Sequence, residues 1–144
     1  MAEQNYSNHV RWVPTFHFFV VPILLGNVGV QLYWWFKSGF ALSHIFTILV
    51  ALALLVGIVG ARVMTLHVQD RVIRLEERQR MAQLLPEDLR PRIGEFTTKQ
   101  LVALRYASDE ELPALARKVL NDKLTNVKAI KQMVQHWRGD YLRA

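Results

Sequence analysis

The sequence predicts an all-α membrane protein: a transmembrane helical hairpin, its second span continuing into a juxtamembrane helix, followed by a small cytoplasmic helical domain. Three observations predict it. Between Arg11 and Arg62 the only charged residue is Lys37, whereas the rest of the 144-residue chain carries nearly all the charge. A bilayer imposes such segregation, because Lys, Arg or Asp at the centre of a span costs ~2.5–3.5 kcal/mol. Second, the almost purely apolar run Ile45–Val59 passes without a proline or turn signal into a charged, helically patterned stretch ending at Leu85. Third, after Pro86 come short amphipathic segments, each preceded by a helix-capping signal.

Taken in order, residues 1–12 form a polar N-terminal segment at the cytoplasmic interface. Glu3 near the start and LYWWF, in place of a small-residue cleavage site, argue against a removable signal peptide. The first span is predicted over 13–36, about 34 Å at helical rise and enough for a ~30 Å hydrocarbon core. Trp12 and Phe16 at one end, with Tyr33, Trp34, Trp35 and Phe36 at the other, fit the aromatic belts of the two interfaces. Pro14 suits a first helical turn, while Pro22 lies inside and should kink the helix or free a carbonyl. Asn27 and Gln31, one turn apart, place two amides on a face that lipid cannot satisfy.

Residues 37–39 (Lys-Ser-Gly) leave room only for a tight antiparallel turn, predicted outside. The second span is predicted over 40–62. Arg11 at one end of the hairpin and Arg62, Arg71 and Arg74 beyond the other outweigh Lys37, which puts both termini in the cytoplasm. Ala53, Gly57 and Ala61 recur every fourth residue, a spacing that lets another helix approach closely, and Gly26 and Gly29 offer a similar patch on the first span. The first reading is that these faces pack the hairpin; the second is an intermolecular interface.

Residues 63–85 are predicted as a juxtamembrane helix. Ala61, Met64, Val68, Val72, Leu75, Gln79 and Ala82 form its apolar stripe, read as packing on the chain's own domain. Asp70–Arg74 and Glu76–Arg80 are i,i+4 pairs assigned to the solvent side, and Glu76-Glu77 to a solvated face. Pro86, Pro91 and Gly94 mark a turn-rich linker opening the cytoplasmic domain, 86–144. Within it, Thr97 with Gln100 and Ser108 with Glu111 are capping boxes, and Thr125 is the expected cap of a last helix reaching about His136. Apolar positions at helical spacing supply a core too thin to stand alone, which the juxtamembrane helix should complete. Trp137 and Tyr141 are expected anchors of an amphipathic tail.

The absence of cysteine excludes disulfides, thiolate metal sites and cysteine nucleophiles. No zinc-protease, P-loop, nucleophile-elbow or dinucleotide-glycine pattern occurs, so no catalytic or metal-binding residue is assigned and the chain is not read as an enzyme. The net charge of +6 is attributed to cytoplasmic flanks meeting anionic lipid, not to nucleic acid. His17 and His44 belong to opposite ends of the hairpin, ~22 Å apart at helical rise, so one chain cannot hold a haem between them. His17, among Phe16, Phe18 and Phe19, is the candidate cofactor-binding residue, alone or with a partner subunit, for haem, pigment or quinone. The plainer alternative is an interfacial histidine bonded to lipid or backbone, and no cofactor is predicted.

The blocks EQNYSNHVRWVP (Glu3–Pro14), His17-Phe18, Pro22, VQDRVIRLEER (Val68–Arg78), LLPEDLRPRI (Leu84–Ile93), QLVALRYASDEELP (Gln100–Pro113) and WRGDYLR (Trp137–Arg143) resemble an uncharacterised bacterial family of small two-span membrane proteins with an N-terminal EQNYxNHxR motif. The resemblance spans nearly the whole chain and implies two spans plus a helical cytoplasmic part. It assigns no catalytic, cofactor or metal residue. The function expected is a structural or accessory protein of the inner (plasma) membrane, in contact with lipid and with partner subunits or copies of itself. A cofactor-, lipid- or quinone-binding subunit using His17 is the alternative.

Overall fold

The computed structural model describes residues 5–8 and 12–140, and its described part is all-helical apart from one isolated antiparallel bridge, Ala107 with Trp137. A π-helical stretch, Thr15–Val20, leads into helix α1 (Val21–Lys37). Helix α2 runs unbroken over 42 residues, Ser43–Leu84. A 3-10 turn (Arg90–Glu95) precedes α3 (Thr98–Leu104), α4 (Leu112–Asn121) and α5 (Val127–Gln132). Thr15–Lys37 and Ser43–Leu84 are each long and apolar enough to cross a membrane. By internal contact the chain divides into residues 11–65 and a second unit made of residues 66–144 with the N-terminal ten.

In the first unit, Pro14 opens the helix and the wide π turn ends at Pro22. The Val21 N–H donates to Phe16 O, five residues back. A π turn carries one more residue than an α turn, which makes room where the proline ring would meet the preceding carbonyl. The expected kink takes this form. The turn after α1 is a Schellman cap: Gly39 sits in the left-handed region (φ 67), its N–H donates to Phe36 O at 3.2 Å, and Phe40 N–H donates to Trp35 O at 3.0 Å. Phe40 is also left-handed (φ 63), and its ring packs edge-on against Trp35, 5.0 Å between centroids, the apolar contact that accompanies this cap.

The shielded positions of α1 are Val28, Gln31 and Trp35, continuing the line of Val20 and Leu24; those of α2 are Ile48, Ala51, Leu55 and Ile58. Each line is a stripe along one side of its helix, and Ile48 and Ala51 are the buried members of the α2 line. The Arg62 guanidinium over the Phe16 ring, 6.0 Å from its centroid, gives the antiparallel register at the other end. Gly26, Gly29, Gly57 and Gly60 have nothing within 4 Å of where a Cβ would stand, and Ala53 and Ala61 are exposed. The intrachain packing first expected of the small-residue faces is therefore not what this hairpin uses. Ala51 is the buried small residue.

In the second unit the core is Met81, Leu85, Leu89, Phe96, Leu101, Leu104, Tyr106, Leu112, Val119 and Ile130 with their neighbours. The end of α2 does complete this core, through Met81, and Leu85 directly after the helix joins it. It does so on a different face from the one expected. Ile73, Glu77, Met81 and Leu85 are buried at four-residue steps, whereas Met64, Val68, Val72 and Leu75 are exposed, as are Gln79 and Ala82. Hydropathy favoured the second set because the buried face has a glutamate in its middle.

The Thr97–Gln100 box caps α3, whereas the reciprocal Ser108–Glu111 bonds close the turn before α4, whose N-cap is Glu111 with no side-chain cap bond. Thr97 Oγ1 accepts from Gln100 N, and Gln100 Oε1 accepts from Thr97 N at 2.8 Å. Ser108 Oγ accepts from Glu111 N, and Glu111 Oε1 accepts from Ser108 N. Gln100 also donates through Nε2 to Leu124 O at 2.8 Å, tying α3 to the loop before α5. The last helix is capped by Asn126, whose Oδ1 accepts from Lys128 N and Ala129 N, and not by Thr125. It stops at Gln132, and after a turn at Met133 and a bend at 135–136 the chain pairs with the segment after α3: Arg138 N–H donates to Tyr106 O and Ser108 N–H to His136 O. Trp137 packs on Tyr106, 4.8 Å between ring centroids, while Tyr141 lies outside the described residues.

Candidate functional site

The second unit contains a cleft of about 840 Å3 walled by α2, the residues following α3 and the extended stretch Arg138–Asp140. At its base is Glu77, only 5% exposed. The four-residue rows of α2 turn Glu77 inward with Ile73 and Met81. Arg80, one turn on, donates from Nη1 to Glu77 Oε2 at 3.1 Å. Arg138 Nη1 approaches the other carboxylate oxygen at 3.6 Å. Arg80 then reaches across to the segment after α3: Nε and Nη2 both donate to Asp109 Oδ1, at 2.8 and 2.6 Å, and Nη2 donates to Ala107 O at 2.7 Å. One guanidinium thereby joins α2 to the 107–109 turn through its planar fork.

Arg105, also buried, donates from Nη2 to the Tyr106 hydroxyl at 2.6 Å and lies 3.3 Å from Asp140 through Nη1. Its Nε has no hydrogen-bond partner among the described residues. Lys131 stands over the Tyr106 ring at 5.0 Å, so a cation and an indole share that ring. Burial holds the Glu77 carboxyl above its ordinary value of 4.5; the charges of Arg80, Arg138 and Arg105 oppose that rise without cancelling it.

The lining supplies guanidinium, carboxylate and amide groups largely committed to one another, and no serine or histidine. No group of three His, Cys, Asp or Glu able to hold a metal occurs among the described residues. The cleft was missed at sequence level because Glu76–Arg80 was read as the ion pair and Glu77 as solvated. The pair that forms is Glu77–Arg80, at i,i+3. The usable signal was the apolar row Ile73, Met81, Leu85, whose missing member is residue 77.

The residues singled out from sequence belong to the first unit. His17 is half-buried. Its Nδ1 is taken up by the backbone of Val13, 2.9 Å from the carbonyl oxygen and 3.2 Å from the amide nitrogen, and its ring meets Trp12 and Phe16 edge-on. This is the backbone-bonded arrangement given as the plainer alternative, with Nε2 left over. Asn27 and Gln31 part company: Gln31 is half-buried on the line of α1 that faces α2, Asn27 is exposed. Trp12 and Trp34 are exposed, whereas Trp35 is half-buried and its indole nitrogen has no partner among the described residues.

Comparison with curated proteins and with solved structures returned no match. The sequence model of one family does match, over residues 1–144, and the chain therefore belongs to it: a family of unknown function, DUF6526.

Proposed function

We propose that this protein is a two-span anchor of the bacterial inner membrane, with both termini cytoplasmic, that serves as a structural or accessory subunit by holding a folded helical unit at the membrane surface for a protein partner. The observation that carries the reading is that one helix does two jobs. Ser43–Leu84 holds the most apolar stretch of the chain and also contributes Met81 to the helical unit's core, with Leu84 packed against it. An unbroken helix, and not a flexible linker, connects the apolar stretch to the helical unit. The positive charges of Arg62, Arg71 and Arg74 against Lys37 support the inward orientation.

Blue-native electrophoresis after extraction in mild detergent tests the accessory role. An assembly heavier than the 16.7 kDa monomer, dissociated when the cleft residues are changed, is the expected result. A clean monomer at all detergent strengths overturns it.

A further inference from the structure

We infer that α2 is also a dimer helix, pairing in parallel and in register with α2 of a second copy through Val68, Val72 and Leu75. These three are exposed (59%, 46% and 65%) on the side of α2 roughly opposite the face buried in the unit's core. They are apolar on a segment otherwise rich in charge, which is costly to leave in water. The inference rests on the two-span anchor reading in one respect: copies inserted the same way bring their α2 helices together parallel.

Spacing and charge both select a second copy. Gln79 and Ala82 continue the stripe, and in sequence the same three- and four-residue steps run back through Met64, Ala61 and Gly57. Gly57, Val68 and Gln79 are eleven residues apart, as are Ala61 and Val72, and Met64 and Leu75. Eleven residues in three turns is about 3.67 per turn, so close to the relaxed α-helix that two nearly straight helices stay in contact without the left-handed winding a heptad demands.

The flanks of the stripe are unlike each other. One side carries His67, Arg71 and Arg78, the other Gln69, Glu76 and Gln83. A membrane surface would favour basic residues on both sides. A parallel two-fold pair instead sets the basic flank of each helix against the Gln69–Glu76–Gln83 flank of the other, which with Val72 and Gln79 also forms the α2 wall of the cleft. With Val72 and Leu75 at the core, Arg71 precedes the first and Glu76 follows the second. That five-residue offset is the one bridged between helices in parallel pairs. Two equivalent Arg71–Glu76 contacts result.

Because the chain contains no cysteine, single-cysteine variants of the full-length protein in native membranes give a clean test. Val68→Cys, Val72→Cys and Leu75→Cys are expected to form disulfide-linked homodimers under mild oxidation, several-fold more than Val63→Cys and Leu66→Cys, which are exposed but off the stripe and its flanks. Added to Val72→Cys, Arg71→Glu should cut the cross-link roughly threefold to tenfold, and Arg71→Glu with Glu76→Arg should restore it. Equal cross-linking at all five positions, none at any, adducts with a different protein, or no rescue by the double reversal each overturns the parallel pair. Alkaline carbonate washing of the same membranes separates this from the anchor reading: release of the chain sinks the anchor, whatever the cross-links show.

Discussion

Replacing Arg80 by methionine probes the charged cleft most sharply. Methionine keeps much of the apolar stem while removing the donors to Glu77, Asp109 and Ala107 O. Glu77 would then face Arg138 alone, at 3.6 Å. Deleting one partner of a buried pair costs ~3–5 kcal/mol. Here the Arg80 side chain retains 11% exposure and Asp109 is 64% exposed, so the Asp109 arm adds little and water reaches the stranded carboxylate in part. A loss of about 2–4 kcal/mol is expected. Hydrogen exchange of the α3 amides in the full-length protein reads this directly. At ~1.36 kcal/mol per tenfold, protection should fall roughly 30- to 900-fold.

The pH dependence supplies a second reading of the same variant. Burial raises Glu77, and the variant removes the largest opposing charge, so its folded-state value rises further. A carboxyl raised on folding gives stability that is fully present at acid pH and lost as pH climbs through the folded value. The deficit of Arg80→Met relative to the parent should thus shrink as pH falls toward the ordinary carboxyl value and grow as pH climbs through the raised folded-state value. A deficit under about 0.5 kcal/mol, the scale of a surface pair, or one that grows with acid, would show that Glu77 is solvated and refute the reasoning.

Other perturbations bear on the rest of the fold. Leu85→Ala should destabilise the helical unit by ~2–5 kcal/mol, because Leu85 is wholly buried in its core, whereas Leu75→Ala should change the monomer by no more than ~0.5 kcal/mol; proteolysis of the two variants compares them. Gln100→Leu removes three hydrogen bonds that bind Thr97 and Leu124, and ~1–3 kcal/mol should be lost from the exchange protection of α3. Arg117 bonds to Asp88 at 2.6 Å and holds that carboxyl below its ordinary 3.8, so Arg117→Gln should raise the Asp88 titration midpoint seen by NMR with little change in stability, since the pair is exposed.

Local signals were readable from sequence and long-range ones were not. The Thr97–Gln100 and Ser108–Glu111 boxes involve residues three apart, so their chemistry is written in the chain itself. The last helix was drawn too long because its end is fixed by pairing of Trp137 with Ala107, thirty residues earlier in the chain. Asn126 displaced Thr125 as its cap, a choice between adjacent residues that composition does not decide. The face of α2 was misread for a deeper reason. The buried Glu77 is met by Arg80 one turn on and by Arg138 from the far end of the unit, and nothing near residue 77 announces Arg138. His17 stands differently: its aromatic neighbours were evident, but the bond of its Nδ1 to the Val13 backbone depends on the turn geometry.

Membrane topology is the claim on which the proposed role depends, and the lack of native cysteine makes it directly measurable. Cysteine introduced at Ser38, in the turn between α1 and α2, should react with a membrane-impermeant maleimide added to intact cells. Cysteines at Ser7 and at Glu110 should react only after the membrane is opened. Labelling of Ser7→Cys or Glu110→Cys from outside, with Ser38→Cys protected, would contradict a two-span anchor facing the cytoplasm.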